Sequence, residues 1–198
     1  ATFAGTTTPF KVAAFLLLTG AHALKMEGEF AEPACLRSVA AFHRLFKAPV
    51  VSQPAIPDAK RCTLRVNLLQ EELNELKVAI EQNDLVEVAD ALADLQYVLS
   101  GAVHEFGLGH RFKDLFDEVQ RSNMSKACTT RDEAERTVAH YGAKGQPAKI
   151  EEVEGKFLVY RIEDNKVLKS VDYSPANLRN ILSSDDAENV PPAKVPKV

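Results

Sequence analysis

Residues 64–102 read LRVNLLQEELNELKVAIEQNDLVEVADALADLQYVLSGA, and this stretch decides the fold. Leu69, Leu73, Leu76 and Ile80 recur at i, i+4, i+7 and i+11, the spacing of a single helix face. They predict a helix from about Pro57–Asp58 to Gln82 with that stripe buried. Asn83–Asp84 breaks the pattern. Asp84 is a good N-cap, and Glu87, three residues later, is its capping-box partner. A second helix then runs to about Phe106 on the stripe Leu85, Val88, Leu92, Leu95, Leu99 and Val103, and Gly107 and Gly109 end it. Two long helices joined by so short a turn must lie antiparallel.

The same hairpin is rich in acids. Glu71, Glu72 and Glu75 fall within two turns of the first helix, and Glu87, Asp90 and Asp94 within two turns of the second. A helix advances about 100° per residue, so each set shares a face. Counting outward from Asn83, Glu75 comes level with Asp90 and Glu72 with Asp94. Lys77 is the only Lys or Arg between Arg65 and Phe106. Carboxylates crowded in this way either hold protons or are neutralised by cations. Hard oxygen ligands select Mg²⁺, Mn²⁺ or Ca²⁺ rather than zinc. Spacing alone leaves a second reading open, in which these acids are ordinary solvated helix faces and Glu87 only a cap.

Outward from the hairpin, residues 34–46 (ACLRSVAAFHRLF) have near-helical apolar spacing, and Pro49, Pro54 and Pro57 make residues 48–57 a loop. Residues 113–126 form a fourth helix with Leu115, Phe116, Val119 and Met124 apolar. The expected fold is mainly all-α, a four-helix bundle with a small C-terminal β-hairpin and helix. Residues 131–141 read as a short helix. Residues 156–170 read as a hairpin turning at Asp164–Asn165. Ser174–Pro175 reads as an N-cap and first turn of a helix ending at Leu182. The chain thus divides into an extension (1–30), a helical-bundle domain (31–128), a helix–hairpin–helix extension (129–182) and a polar, Pro-rich, disordered tail (183–198).

Net charge is −4 over 198 residues, with a pI near 5.8. Such a chain has no overall pull toward a nucleic-acid polymer or an anionic membrane. An acidic enzyme acting on a polyanion needs a local source of positive charge, and a metal ion supplies one. Cys35, Cys62 and Cys128 are odd in number and far apart, which suits free thiols in a reducing compartment. A cytoplasmic protein is expected. The apolar run Phe10–Leu24 is too short to span a bilayer. It leaves open a targeting segment, an extra helix or a cloning remnant.

Glu72-x-x-Glu75 followed by Glu87-x-x-Asp90 resembles the E-x-x-E … E-x-x-D signature of the MazG-type all-α nucleotide pyrophosphohydrolases. With AAFHRLF, RSNMSK and KVLKSVDYSPANL in the same order, the chain is similar to the phosphoribosyl-ATP pyrophosphohydrolase-like branch over roughly Leu36–Leu182. The resemblance implies that Glu72, Glu75, Glu87 and Asp90 ligate Mg²⁺ (or Mn²⁺), with Asp94 an outer ligand. Glu71 is implied to orient or deprotonate the attacking water. Asn123 and Lys126, with Arg121 a further candidate, are implied to contact phosphate oxygens. Tyr97, Asn67 and His43 are candidates to touch the nucleobase, each with packing as the alternative. The implied reaction splits a nucleoside triphosphate between the α- and β-phosphorus. Phosphoribosyl-ATP is an alternative substrate, and a non-catalytic oligomerisation module is the alternative role. A homodimer or tetramer is expected.

Overall fold

The computed structural model describes residues 30–183. The expected extension at 1–29 and the tail at 184–198 lie outside the described residues. Chain contacts divide the protein after Ala34. Of the first unit, residues 30–34 are described and hold no helix or strand.

In the second unit, α1 (Cys35–Leu45), α2 (Ala59–Gln82), α3 (Leu85–Glu105), α4 (Phe112–Met124), α5 (Arg131–Gly142) and α6 (Leu178–Ser183) accompany two strands, β1 (Ala148–Val153) and β2 (Lys156–Arg161). The fold is therefore mostly helical with one small antiparallel sheet, as the sequence pattern indicates. Among the described residues no helix is long and apolar enough to cross a membrane.

Local chemistry sets the α2–α3 turn. Asn83 takes the left-handed conformation (φ 55°), and the Asp84 N–H donates to Ala79 O at 3.0 Å. That pattern closes α2 as a Schellman cap. Asp84 then caps α3 at once, its Oδ1 accepting from Val86 N and Glu87 N at 3.0 and 3.2 Å. The reciprocal half of a capping box is not needed, because the Asp84 N–H is already taken. Glu87 is thereby left free to serve the surface.

At the other end of the hairpin, α2 and α3 are joined by charge. Glu105 is buried and pairs with both Arg61 and Arg65. Gly101 makes room for this, since a Cβ there would lie 2.7 Å from the Arg65 guanidinium. The Nδ1–H of His43 donates to Pro49 O (2.8 Å), and the Nε2–H of His104 donates to Leu36 O (2.7 Å), which fastens α1 and its loop to α3. Gly107 (φ 68°) ends α3 where a Cβ would overlap Gln53 O, so the Pro-rich loop can lie against it.

The expected stripes are buried only in part: Val103 is out of water and Leu69, Leu76, Val88 and Leu95 are half-buried. Ala79 and Ala91 fill the α2–α3 seam, while Leu73, Ile80, Leu85, Leu92 and Leu99 remain 40–80% exposed. The reason is that α1 covers α3 and, among the described residues, no helix covers the outer side of the hairpin. Helix α4 belongs with α6 rather than with that open face.

Beyond Ala127 the chain builds a second, closed core. Cys128, Ala134, Val159 and Leu168 are buried together, with Val138, Tyr141, Ile150 and Phe157 around them. The hairpin differs from expectation. Its first strand is Ala148–Val153, and its turn is Glu154–Gly155 with both φ positive (53° and 72°), the geometry a two-residue hairpin turn requires. Asp164–Asn165 makes a second turn that brings Val167 to a single bridge with Tyr160. Helix α6 also starts later than expected. Ser174 is not its N-cap, because its backbone N–H donates to Ser125 Oγ (3.0 Å) and its hydroxyl accepts from Arg121 (3.1 Å).

Candidate active site

The acids of α2 and α3 meet along the seam. Glu72 is half-buried, and Glu71, Glu75, Glu87, Asp90 and Asp94 are exposed around it. Burial raises the Glu72 carboxyl above its usual range, and the charges of Glu75, Asp94, Glu71 and Asp90 push it the same way. Asp94 acts on Glu72 more strongly than Asp90 does, in keeping with Glu72 and Asp94 standing level across the hairpin. Toward the turn, Glu75 and Glu87 line a groove with Asn74, Val78, Ala79 and Gln82. Among the described residues, no hydrogen bond or ion pair is made to Glu72.

The exposed leucines lie on the other side of the hairpin. From Glu75, Leu73 and Ile80 are turned by about 160° and 140°, and the same angles separate Glu87 from Leu85 and Leu92. The hairpin therefore has an acidic flank and an apolar flank. As the side chains stand, no three Asp, Glu, His or Cys among the described residues converge tightly enough to grip one ion. The donor set is nonetheless suited to a hard divalent cation. It offers only carboxylate oxygens, on flexible side chains, around a group whose charge has no partner among the described residues.

The other predicted residues divide. Lys126 Nζ donates to Asn123 Oδ1 at 2.8 Å, so these two form a pair on the surface just past the end of α4. Arg121 is held by Glu118 (2.7 and 2.8 Å) and reaches Ser174 and Pro175, which makes it a tether for the C-terminal segment. Tyr97 stands edge-on to Phe42, ring centroids 5.7 Å apart, and is partly exposed. Asn67 is exposed on α2. His43 is buried, one ring nitrogen on Pro49 O and the other 3.5 Å from the Arg65 guanidinium. It faces protein on both sides.

Sequence reading missed the buried Arg61–Glu105–Arg65 group. Its signal was present, since Arg61 and Arg65 share a face at i, i+4 and an antiparallel hairpin brings them level with the end of α3. Burial pushes the Glu105 carboxyl up, but the hydrogen bonds and charges of the two arginines outweigh it and hold it below its usual range.

Residues 39–123, somewhat less than half of the chain, match the family model described as phosphoribosyl-ATP pyrophosphohydrolase. The match spans α1 to α4 and is to a domain of the MazG-like pyrophosphohydrolase superfamily. This supports nucleotide pyrophosphohydrolase activity in general terms. The chain is also 24% identical over 237 residues to an uncharacterized protein of Acanthamoeba polyphaga mimivirus, covering 74% of this chain and 94% of the relative.

Proposed function

We propose that the protein hydrolyses a nucleoside triphosphate at the α–β bond, giving a nucleoside monophosphate and pyrophosphate, with Mg²⁺ held at the α2–α3 seam. The observation that carries this reading is Glu72, half-buried among four further carboxylates with no cation among the described residues to offset them. Glu72, Glu75, Glu87 and Asp90 are the residues that would hold the metal, with Asp94 outside them. A bound divalent ion supplies charge neutralisation for the phosphates and for the developing transition state. Glu71, on α2 beside these acids, would orient a water and accept its proton. Asn123 and Lys126 offer a polar and a cationic contact for phosphate oxygens.

The apolar flank of the hairpin carries the second half of the proposal. A row of large side chains this exposed is covered in solution, and a second copy of the chain offers a matching apolar flank. A homodimer or a tetramer built from it keeps the acidic flank on the opposite side available to nucleotide.

The test is a pyrophosphate-release assay across nucleotides, with Mg²⁺ and with EDTA, on the full chain. Turnover should require the metal and vanish in Glu75→Ala and Asp90→Ala while the helical circular dichroism stays intact. Full activity in either variant overturns the assignment. The matching family model names phosphoribosyl-ATP, so that compound belongs in the same assay beside dUTP, dCTP and the common triphosphates. A chain that turns over phosphoribosyl-ATP alone has the narrower activity.

A further inference from the structure

The sheet has one covered edge and one open edge. On the β2 side, Phe157 exchanges both backbone bonds with Cys128, at 2.9 and 3.0 Å, and Val159 O accepts from Leu168 N at 2.8 Å. The β1 side differs. Ile162 N donates to Pro147 O at 3.0 Å, and the antiparallel register alternates from there, so Lys149, Glu151 and Val153 bond to β2. The N–H and C=O of Ala148, Ile150 and Glu152 point away from β2. Among the described residues nothing bonds to them. Ala148 and Ile150 are half-buried and Glu152 is exposed.

Such an edge is a template for another strand, and its side chains indicate which one. Ala148 and Ile150 face the core around Cys128, so Lys149 and Glu151 stand on the other face. There they form an exposed ion pair at 2.7 Å. A lone lysine deters edge pairing, but a lysine alternating with a glutamate is complementary to its own reverse. A second β1 laid antiparallel across a two-fold axis at Ile150 sets Ala148 against Glu152 and Ile150 against its own copy. It sets Lys149 against Glu151 twice. Each facing pair among the outward residues exchanges two N–H···O bonds, about six in all. Sliding the copies by two residues sets Lys149 against Lys149, or Glu151 against Glu151, and like charges oppose both. Charge thus selects the register centred on Ile150.

We propose that β1 is a self-pairing edge, at which two copies of the chain join β1 to β1 into one sheet of order β2–β1–β1–β2. The outer edges of that sheet are β2, already covered, so growth stops at two copies. The contact uses none of the apolar flank of α2 and α3, and it does not rest on the reaction proposed above. Combined with the flank, it supplies the second two-fold from which a tetramer is built. About five residues a side cover far less than the roughly 1,200 Å² of a stable interface, so by itself the pairing is weak.

The test uses the full chain carrying Leu85→Ser and Leu92→Ser, which removes the flank contact and leaves β1 alone. Sedimentation equilibrium at up to about 1 mM should show a reversible dimer that is dissociated at the micromolar concentrations of gel filtration. In that background Lys149→Glu and Glu151→Lys should each weaken the dimer about tenfold, with the circular dichroism spectrum unchanged, since each turns two facing pairs from attraction to repulsion. A mixture of K149E with E151K should associate as strongly as the parent, because opposite charges face each other again. The double variant K149E/E151K should pair with itself for the same reason. No dimer in the parent, or losses that the mixture does not restore, would overturn the proposal. Amide exchange in the unsubstituted chain reads the same edge. Ile150 and Glu152 should exchange fast in dilute protein and more slowly as concentration rises, while Lys149 and Glu151 stay slow throughout. Slow exchange of Ile150 and Glu152 in a chain that sediments as a monomer would mean that it covers its own edge, and would overturn the proposal as well.

Discussion

Two carboxylates, Glu72 on the helical hairpin and Glu133 at the start of α5, show how differently the two regions are finished. Glu133, at the start of α5, is buried, yet Thr129 N and Thr129 Oγ1 donate to it at 2.7 and 2.8 Å and Ser170 Oγ donates as well. Burial pushes it up, but those bonds outweigh burial and hold it below its usual range. Glu72, only half-buried, has no such donors and four like charges, and it rises. The core around α5 and the sheet is closed in the same sense, with Val159, Ala134 and Cys128 fully out of water, while α2 and α3 expose their leucines. The C-terminal core satisfies itself. The helical hairpin leaves both flanks open, one for the proposed cation and the other for the proposed second copy.

Substitutions can break or sharpen that contrast. The largest effect is expected at Glu105→Ala, which strands two arginines at a buried site. It should cost roughly 3–5 kcal/mol, read by urea denaturation. Glu133→Gln keeps the shape but weakens charge-assisted bonds, and should cost about 1.5–3 kcal/mol. A smaller effect of opposite sign is expected at Glu72→Gln in EDTA. Because the folded-state pKa of Glu72 lies above its unfolded value, ionisation destabilises the fold as pH rises through the window above the ordinary carboxylate range. The variant should therefore melt higher than the wild type at pH 7–8, and the two should converge as pH falls below about 4.5. Glu133 works the other way, since its depressed pKa stabilises the fold above the ordinary range and that contribution is lost on acidification. The smallest stability change is expected at Leu85→Ser with Leu92→Ser, both on the open flank. Gel filtration should show the oligomer falling to monomer with the helical spectrum unchanged.

Much of this was written locally. Asn83 and Asp84 fix the hairpin turn and hence the levels of Glu72, Glu75, Asp90 and Asp94, and both residues carry their preference in their own chemistry. The E-x-x-E and E-x-x-D spacing placed the acids together because the helical repeat is short-range. The fate of the leucines was not legible, because a periodic stripe states that a face is apolar and leaves open whether the same chain covers it. The true hairpin turn escaped notice because Glu154–Gly155 lacks the Asn or Asp that usually announces one, whereas Asp164–Asn165 has the signal and serves a lesser turn. Ser174 looked like a helix cap and is a tether, since its partners Ser125 and Arg121 lie about fifty residues away.

The claim on which all of this depends is that the α2–α3 seam takes up a divalent cation that the chain itself does not replace. Titration of the full, metal-free protein with Mn²⁺, followed by its electron paramagnetic resonance signal, measures this without any assumption about substrate. Saturable binding that is displaced by Mg²⁺ and lost in Glu75→Ala and Asp90→Ala is the expected result. A signal that remains that of free Mn²⁺ throughout, or binding equally strong in both variants, would contradict it.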